Sequence, residues 1–302
     1  MAFSKGISNT ASFAKMLGFC DVKVVALNPN AKQIKELTGK EYEENPEYLG
    51  EVERNDKTVK VMRFSFYLQP EVKFWNRITV LNMFVENNIE MSKDGKKCRV
   101  IDKYGRNKWV EVEVVKAKQP IERIDKDYRP ALRGEVELTN FLRAYLCISS
   151  PEKYVQDENK WVLKSDNELK ECESQFTMED WGKVFKNDIS PINEVLAYQP
   201  NASVKVLMYV KCTKDGALYQ AVYDKDFLKK NSKESSFERF KKTITNEQKN
   251  GYGTNNIYEF GPARIVEDIA PTSVSETTTE NDPFADTAED DISADEDELP
   301  FG

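Results

Sequence analysis

The sequence contains no histidine. Histidine is the commonest general acid or base near neutral pH, and its imidazole is the commonest side-chain ligand for transition metals. Its absence excludes Ser-His and Cys-His nucleophiles and every metal site that includes histidine. The few cysteines are dispersed and form no C-x-x-C pair, so an all-cysteine zinc site is not expected: Cys20, Cys98, Cys147, Cys172 and Cys212.

Two phosphate-binding motifs are also missing. The chain has neither the GxxxxGK[ST] pattern of nucleoside-triphosphate sites nor the GxGxxG pattern of dinucleotide sites. Carboxylates are abundant, which leaves a magnesium-dependent nuclease as the remaining enzyme class. No cluster of two acids and a lysine follows consecutive predicted strands, however. We therefore expect a protein that binds without catalysing a reaction and that needs neither metal nor cofactor.

Long hydrophobic runs are absent as well. The N-terminus has no apolar run typical of a secretory signal, and no stretch approaches the length of a membrane span. An odd, dispersed set of cysteines fits a reducing compartment. These features predict a cytoplasmic protein with no membrane partner.

What the chain does have is an uneven distribution of charge. It carries 44 basic and 52 acidic residues, a net charge of −8, but residues 267–302 contain 13 of the acids and no Lys or Arg. The remaining 266 residues therefore carry a net charge of +5, and the segment from Thr58 to Arg133 has 17 basic against 10 acidic residues. A basic body with an acidic tail indicates a surface that binds a polyanion, and a tail that can compete for that surface.

The tail, residues 267–302, is poor in large apolar residues and rich in Thr, Ser and Ala, so it is predicted to be disordered. Two short segments that end in Pro-Phe, Asp282–Phe284 and Asp297–Phe301, place apolar residues among the acidic ones. This pattern is typical of a short protein ligand on a tether. The alternative is a solubilising tail in which two Pro-Phe pairs arose by chance.

Alternating residues between Thr58 and Val115 predict a series of short antiparallel strands. The first begins at Thr58, the second covers Lys73–Val85, and the others cover Lys97–Lys103 and Lys108–Val115. In the second strand, Phe74, Ile78, Val80 and Phe84 are assigned to the inner face, and Trp75, Arg77 and Thr79 to the outer face. Strands of this spacing predict a small sheet or barrel.

Helices and a further hairpin follow from capping residues and apolar spacing. Residues 1–27 are assigned to an N-terminal arm that either docks or forms a short strand and helix, and the body begins at Asn28. The predicted elements are a helix opened by Asn28-Pro29 and ended by Gly39, a helix through Leu138–Leu146, a helix capped by Thr177 and Asp180, a Val204–Tyr223 hairpin turning at Asp215-Gly216, a helix capped by Ser235 and Glu238, and a strand in Asn256–Val266.

Cations interleaved with aromatic residues on these strands are typical of single-strand binding. Phosphates supply salt-dependent affinity, and each stacked base adds about 1–3 kcal/mol. The alternative for each ring is core packing and for each cation a solvated surface. Trp75 with Arg77 is the strongest pair, and Tyr104 and Trp109 flank a tight turn. The candidate nucleic-acid contacts are Arg63, Tyr67, Trp75, Arg77, Arg99, Lys103, Tyr104, Arg106, Lys108, Trp109, Tyr128, Arg129 and Arg133.

At this point the chain resembles the single-stranded DNA-binding proteins of bacteria and their phages. The resemblance rests on a basic, aromatic, β-rich body, an acidic tail, and a terminal Asp-Glu-Leu-Pro-Phe followed by Gly302. It implies a β-rich α+β protein in which residues 28–266 form an oligonucleotide-binding (OB) antiparallel barrel with helical insertions. It also implies that the tail tip docks onto replication and repair proteins through Asp295, Glu296, Asp297, Glu298, Leu299, Pro300 and Phe301.

The expected function is to coat single-stranded DNA during replication or recombination, in the host cytoplasm if the protein is phage-encoded. The alternative is a virion structural or assembly protein whose acidic tail organises assembly. The oligomeric state does not follow from the sequence.

Overall fold

A computed structural model describes residues 14–54, 56–113, 128–148, 152–155, 160–165, 168, 176–199, 202–213 and 216–267. No helix within these ranges is both long and apolar enough to cross a membrane. The strands are β1 (Lys15–Leu27), β2 (Leu49–Arg54), β3 (Lys57–Pro70), β4 (Thr79–Glu86), β5 (Lys97–Ile101), β6 (Asn107–Glu111), β7 (Arg129–Pro130), β8 (Glu152–Val155), β9 (Lys160–Leu163), β10 (Val204–Cys212), β11 (Leu218–Val222), β12 (Leu228–Lys229) and β13 (Arg264–Val266). The helices are α1 (Ala31–Thr38), α2 (Glu135–Tyr145), α3 (Met178–Val184), α4 (Ser190–Tyr198) and α5 (Glu238–Lys249), the last preceded by a 3-10 turn (Glu234–Phe237).

The main sheet is antiparallel and runs in the order β11-β10-β1-β3-β2. β4 also pairs with β3, β12 with β10, and β13 with β1. A register shift between Val24 and Ala26 lets β1 pair with β10 along its first half and with β3 along its second half. Residues 15–27 are therefore a central strand of the body, which agrees with the strand alternative for this segment and not with a docking arm. The sequence gives no local sign of this because the partners of β1 lie about 45 and 185 residues further along the chain.

The core lies between this sheet and α2. Alternate residues of β3 face it, namely Met62, Phe64, Phe66 and Leu68, and the Phe66 ring packs 4.6 Å from the ring of Phe141 in α2. The other surface of β1 and β10 is covered by α5, where Phe19 and Leu207 pack against Phe237 and Phe240. The β-sheet is thus covered on both faces along β1 and β10.

The second predicted strand begins six residues later than expected, at Thr79, and its faces are reversed. Thr79, Leu81, Met83 and Val85 point inward, while Val80 is 37% exposed. Residues 73–78, the first part of the predicted strand, form a loop rather than a strand. Because side chains alternate with a period of two, a single misplaced residue exchanges the two faces.

The helix predictions agree more closely with the structure than the strand predictions, because helix capping depends on residues that are close together in sequence. Asn30, not Asn28, caps α1 through a reciprocal pair with Gln33, and Gly39 ends the helix with φ 73°. Thr177 and Asp180 form the predicted capping box of α3. The β10–β11 hairpin is confirmed. The α5 prediction is right in position, but the helix begins at Glu238 without a side-chain cap.

Asn28 has a different role. It adopts φ 46°, its side-chain amide donates to the Arg63 carbonyl at 2.9 Å, and its side-chain oxygen accepts from the Ser65 amide at 2.7 Å. These bonds tie the end of β1 to β3.

The protein is therefore a β-rich α+β protein built of antiparallel sheets, as predicted. Beside the main sheet lie a three-stranded sheet in the order β6-β5-β7 and the β8–β9 hairpin. The Cα atoms of β4 and β11 approach within 8 Å, but no ladder of hydrogen bonds joins these two strands in the described ranges.

Candidate nucleic-acid interface

The three-stranded sheet brings together most of the candidate contacts. β5 pairs with β6 through Arg99 and Trp109, and with β7 through Ile101 and Arg129. Residues 91–110, which include β5 and most of β6, contain seven basic and two acidic residues. Eight of the thirteen predicted residues lie on this sheet, its turn or the residue before β7: Arg99, Lys103, Tyr104, Arg106, Lys108, Trp109, Tyr128 and Arg129.

Five of these residues form a compact group that we call the cation–tyrosine cluster: Lys103, Tyr104, Arg106, Lys108 and Tyr128. The Lys103 ammonium lies 5.0 Å from the centre of the Tyr104 ring, and the Lys108 ammonium 4.3 Å from the centre of the Tyr128 ring. The Arg106 guanidinium carbon lies 5.7 Å from the centre of each ring. Cations at these distances interact with the negative faces of the rings.

The turn between β5 and β6 positions the cluster. Its central Gly105 has φ 78°, a conformation that favours glycine, and a Cβ there would lie 2.8 Å from Cδ of Arg143 in α2, so that the Arg143 side chain would have to move. Arg143 thereby lies against the turn. The sequence pattern gives no reason to select Arg143, because the helix is predicted from its apolar residues and Arg143 is not one of them.

Tyr104 is only 8% exposed, which corrects its assignment as an exposed ring. It packs beneath Lys103 and Arg106 and supports them. Tyr128 is half-buried, and Trp109 on the opposite face of the sheet is 38% exposed. Trp109 and Tyr128 are therefore the rings of this sheet that a ligand can reach.

Arg99 is engaged by protein groups. Its guanidinium donates to Glu90 at 3.1 Å, to Glu137 of α2 at 3.0 Å and to Asn107 at 3.0 Å, and it lies 5.8 Å from the centre of the Trp109 ring. Two carboxylates thus share one guanidinium, and the second carboxylate oxygen of Glu90 is buried without a partner among the described residues. Arg99 is better explained as a structural ion pair than as a phosphate contact.

Burial, opposed by Arg99 and reinforced by Glu137, raises the pKa of Glu90 to about 7. Between the ordinary pKa of 4.5 and about 7, the folded protein holds a proton that the unfolded chain has lost, so this group makes the protein less stable as pH rises through that window. We expect wild type to lose about 1–3 kcal/mol relative to Glu90→Gln between pH 5 and pH 8, measured by urea unfolding. The exposed Glu51→Gln serves as the control. A wild-type-minus-Glu90→Gln difference that does not change with pH would contradict the assignment.

Two further candidate cations are also paired. Arg129 forms a bidentate pair with the fully buried carboxylate of Glu135, and Arg133 lies 3.9 Å from Glu86, which Arg54 also contacts at 2.8 Å. Arg129 belongs to the framework beneath the interface because its charge is matched by a buried acid. Its assignment as a phosphate contact is not supported by this geometry.

Arg63 and Tyr67 lie on the face of β3 that points away from the core. Tyr67 is 7% exposed, which corrects its assignment as a stacking platform. Arg63 donates to the Glu47 carbonyl at 2.8 Å and lies 5.2 Å from the centre of the Tyr48 ring, while its Nε is buried without a partner among the described residues. Burial raises the pKa of Tyr48 to about 12, with Tyr67 adding to the shift and Arg63 opposing it.

Tyr42, in the same loop as Tyr48, is 50% exposed, and it adds to the rise in the pKa of both Tyr48 and Tyr67. Sequence analysis missed Tyr42 and Tyr48 because they lie in a polar loop between α1 and β2, outside any strand pattern. An aromatic residue in a loop otherwise rich in charge is the signal that could have identified them.

Trp75 was the strongest sequence candidate, and its assignment to an exposed outer face was wrong. It is 7% exposed and belongs to the main core; its indole N–H donates to the Arg77 carbonyl at 3.1 Å, and the Arg77 guanidinium covers the ring at 5.2 Å. Its neighbour Phe74, which was assigned to the core, is 49% exposed. Arg77 is exposed, as expected, but it flanks a core residue rather than a free platform.

The partner-binding candidates Asp295–Phe301 lie outside the described residues, as does all of the tail after Glu267. Within the described ranges, no group of three or more Cys, Asp or Glu side chains is arranged to hold a metal ion. Comparisons with protein-family models, curated proteins and solved structures gave no match to this chain. The functional interpretation therefore depends on the geometry of the candidate interface itself.

Proposed function

We propose that this protein binds single-stranded DNA without catalysing a reaction, coats it during replication or recombination, and recruits partner proteins through its acidic tail. The observation that carries the proposal is the cation–tyrosine cluster. It places Lys103, Arg106 and Lys108 around the accessible ring of Tyr128 and the buried ring of Tyr104, on one small sheet within the most basic part of the chain. Cations that follow a phosphate backbone and rings that stack on bases are the two components of single-strand binding.

The arrangement of the main sheet supports an OB-type barrel as its architecture. Such a barrel has five strands in Greek-key order, is partly open, and binds oligonucleotides on the face of its second and third strands and on two adjoining loops. Taking β1, β3, β4, β10 and β11 as these five strands, the observed pairings link the first to the second and fourth, the second to the third, and the fourth to the fifth. The approach of β4 to β11 would complete the circle.

An OB-type barrel would give the protein a second contact region. The outward face of β3 and β4 carries Arg63, and the loop between β1 and β3 carries Tyr42 and Tyr48. We propose that a single strand contacts this face as well as the cation–tyrosine cluster. Phosphate oxygens would accept from the partly exposed guanidinium of Arg63, and a base would stack on the exposed ring of Tyr42.

The proposal is tested by a fluorescence titration with oligo-dT and with duplex DNA at two salt concentrations. We expect tighter binding to the single strand and affinity that falls with salt. Lys103→Gln combined with Lys108→Gln should make the slope of log K against log salt shallower by about 1.4, which is roughly a 20-fold loss at 0.1 M salt, because each lysine neutralises about one phosphate.

The matched control replaces two exposed lysines of α5, Lys241→Gln and Lys242→Gln, and changes the net charge by the same amount. Equal losses in the two double variants would mean that net charge, not the cluster, carries the binding. Failure of the wild-type protein to bind oligo-dT would refute the proposal, and co-purification with capsid particles would favour the structural alternative. Incubation with magnesium should leave the oligonucleotide intact, whereas cleavage would indicate a nuclease.

A further inference from the structure

The carboxylate of Asp102, at the start of the β5–β6 turn, is fully buried and accepts three hydrogen bonds. One oxygen accepts from the backbone amides of Tyr104 at 2.9 Å and Arg106 at 2.8 Å. The other accepts from Arg106 Nε at 2.6 Å. A single carboxylate therefore fixes both the backbone of the turn and the side chain of Arg106.

Arg106 in turn holds the two tyrosines. Its side chain is only 19% exposed, and its guanidinium lies 5.7 Å from the centres of the Tyr104 and Tyr128 rings. Tyr104 comes from the turn itself, whereas Tyr128 lies just before β7, in a different part of the sheet. Lys103 and Lys108 lie on the same two rings. The order of contacts thus runs from Asp102 to Arg106, from Arg106 to the rings, and from the rings to the lysines.

We propose that Asp102 and Arg106 are positioning residues that preset Lys103, Lys108 and Tyr128 for a single strand. An acidic residue at a surface that binds a polyanion would ordinarily repel the ligand. The Asp102 carboxylate is buried, however, and its negative charge is hydrogen-bonded to Arg106 and to backbone amides of the turn. Ordering two lysines and a tyrosine before the ligand arrives removes the entropy that binding would otherwise cost. The inference rests on the proposed function and specifies how its principal surface is built.

The Asp102→Asn variant distinguishes a positioning role from a simple charge effect, because the two would change the affinity for oligo-dT in opposite directions. Removing one negative charge should by itself steepen the salt slope by about 0.7 and tighten binding roughly fivefold at 0.1 M salt. The asparagine keeps an oxygen for the two backbone amides but loses the ionic partner of Arg106. If Asp102 positions the cluster, binding to oligo-dT is instead weakened roughly tenfold, despite the added positive charge.

Arg106→Lys is the second variant, and it keeps the inference testable if Asp102→Asn does not fold. It preserves the net charge, but an ammonium cannot reach the Asp102 carboxylate and two rings in the way a planar guanidinium does. We expect roughly tenfold weaker binding with an unchanged salt slope, in a protein whose far-UV circular dichroism matches wild type. Wild-type affinity in this variant, or tighter binding by Asp102→Asn, would overturn the inference while leaving the proposed function intact. No binding by the wild-type protein would overturn both.

Discussion

Removal of residues 267–302 is expected to tighten binding to oligo-dT by about tenfold at low salt. The tail carries 13 acids and no cation, whereas the rest of the chain carries a net charge of +5. Its starting point is fixed, since β13 pairs with Lys15–Leu17 of β1 immediately before Glu267. A tether of the composition predicted for this tail holds its acids near the body at about millimolar effective concentration. An intramolecular affinity of about 0.1 mM would then reduce apparent DNA affinity about tenfold.

Truncation should also steepen the salt dependence at low salt. In the full chain, single-stranded DNA displaces the acidic tail from the binding surface. DNA binding to the full chain therefore releases fewer counterions than DNA binding to a surface without the tail. Anisotropy titrations of the two proteins from 0.02 to 0.5 M salt measure both effects, and the curves should converge at high salt. A matched control replaces only Leu299, Pro300 and Phe301 by Ala, which keeps every acid; it should bind DNA as wild type does while losing partner proteins. Equal affinity of full-length and truncated proteins at 0.02 M salt would contradict competition by the tail.

Glu135→Ala is expected to lower the free energy of unfolding by about 3–5 kcal/mol. Glu135 is fully buried at the start of α2, and it joins three parts of the protein. Its carboxylate forms the bidentate pair with Arg129 next to β7, accepts from the indole N–H of Trp181 in α3 at 2.8 Å, and accepts from the Leu132 amide at 2.9 Å. Alanine leaves a guanidinium, an indole and a backbone amide without their acceptor, and each unpaired buried donor is costly.

Urea unfolding at pH 7 measures this loss, with the exposed Glu51→Ala as the control for removal of an acid. Glu135→Gln should fall between the two, since the amide oxygen can still accept from the indole or from the backbone, but the charge opposite Arg129 is gone. A loss below about 1 kcal/mol in Glu135→Ala would show that the three contacts contribute little.

Several features of the fold follow from short stretches of sequence. The capping pair of Thr177 and Asp180, the stop at Gly39 and the β10–β11 hairpin are all local, and the sequence predicted each of them. The charge division between body and tail is a property of composition alone. Residues 99–109 also follow from local signals, because their strand and turn signals lie within ten residues of one another, and the structure brings that segment into one sheet with Arg129.

The inward or outward direction of each ring was decided by tertiary structure. Trp75 and Phe74 exchange roles because β4 begins at Thr79, and the start of a strand depends on its pairing with β3, not on its own pattern. Tyr67 is only 7% exposed although it points away from the core, and its strand partners are Ala26 of β1 and Val80 of β4, one of them about 40 residues away in sequence. Arg99 and Arg129 are matched by Glu137 and Glu135, whose positions depend on how α2 packs.

The sequence by itself thus determined which residue types are available: cations and rings in one segment, acids in another, and no histidine for catalysis. Tertiary structure decided which of those cations are neutralised by buried acids and which rings remain accessible. The physical reason is that charge and composition add along the chain, whereas burial and ion pairing depend on contacts between residues far apart in sequence.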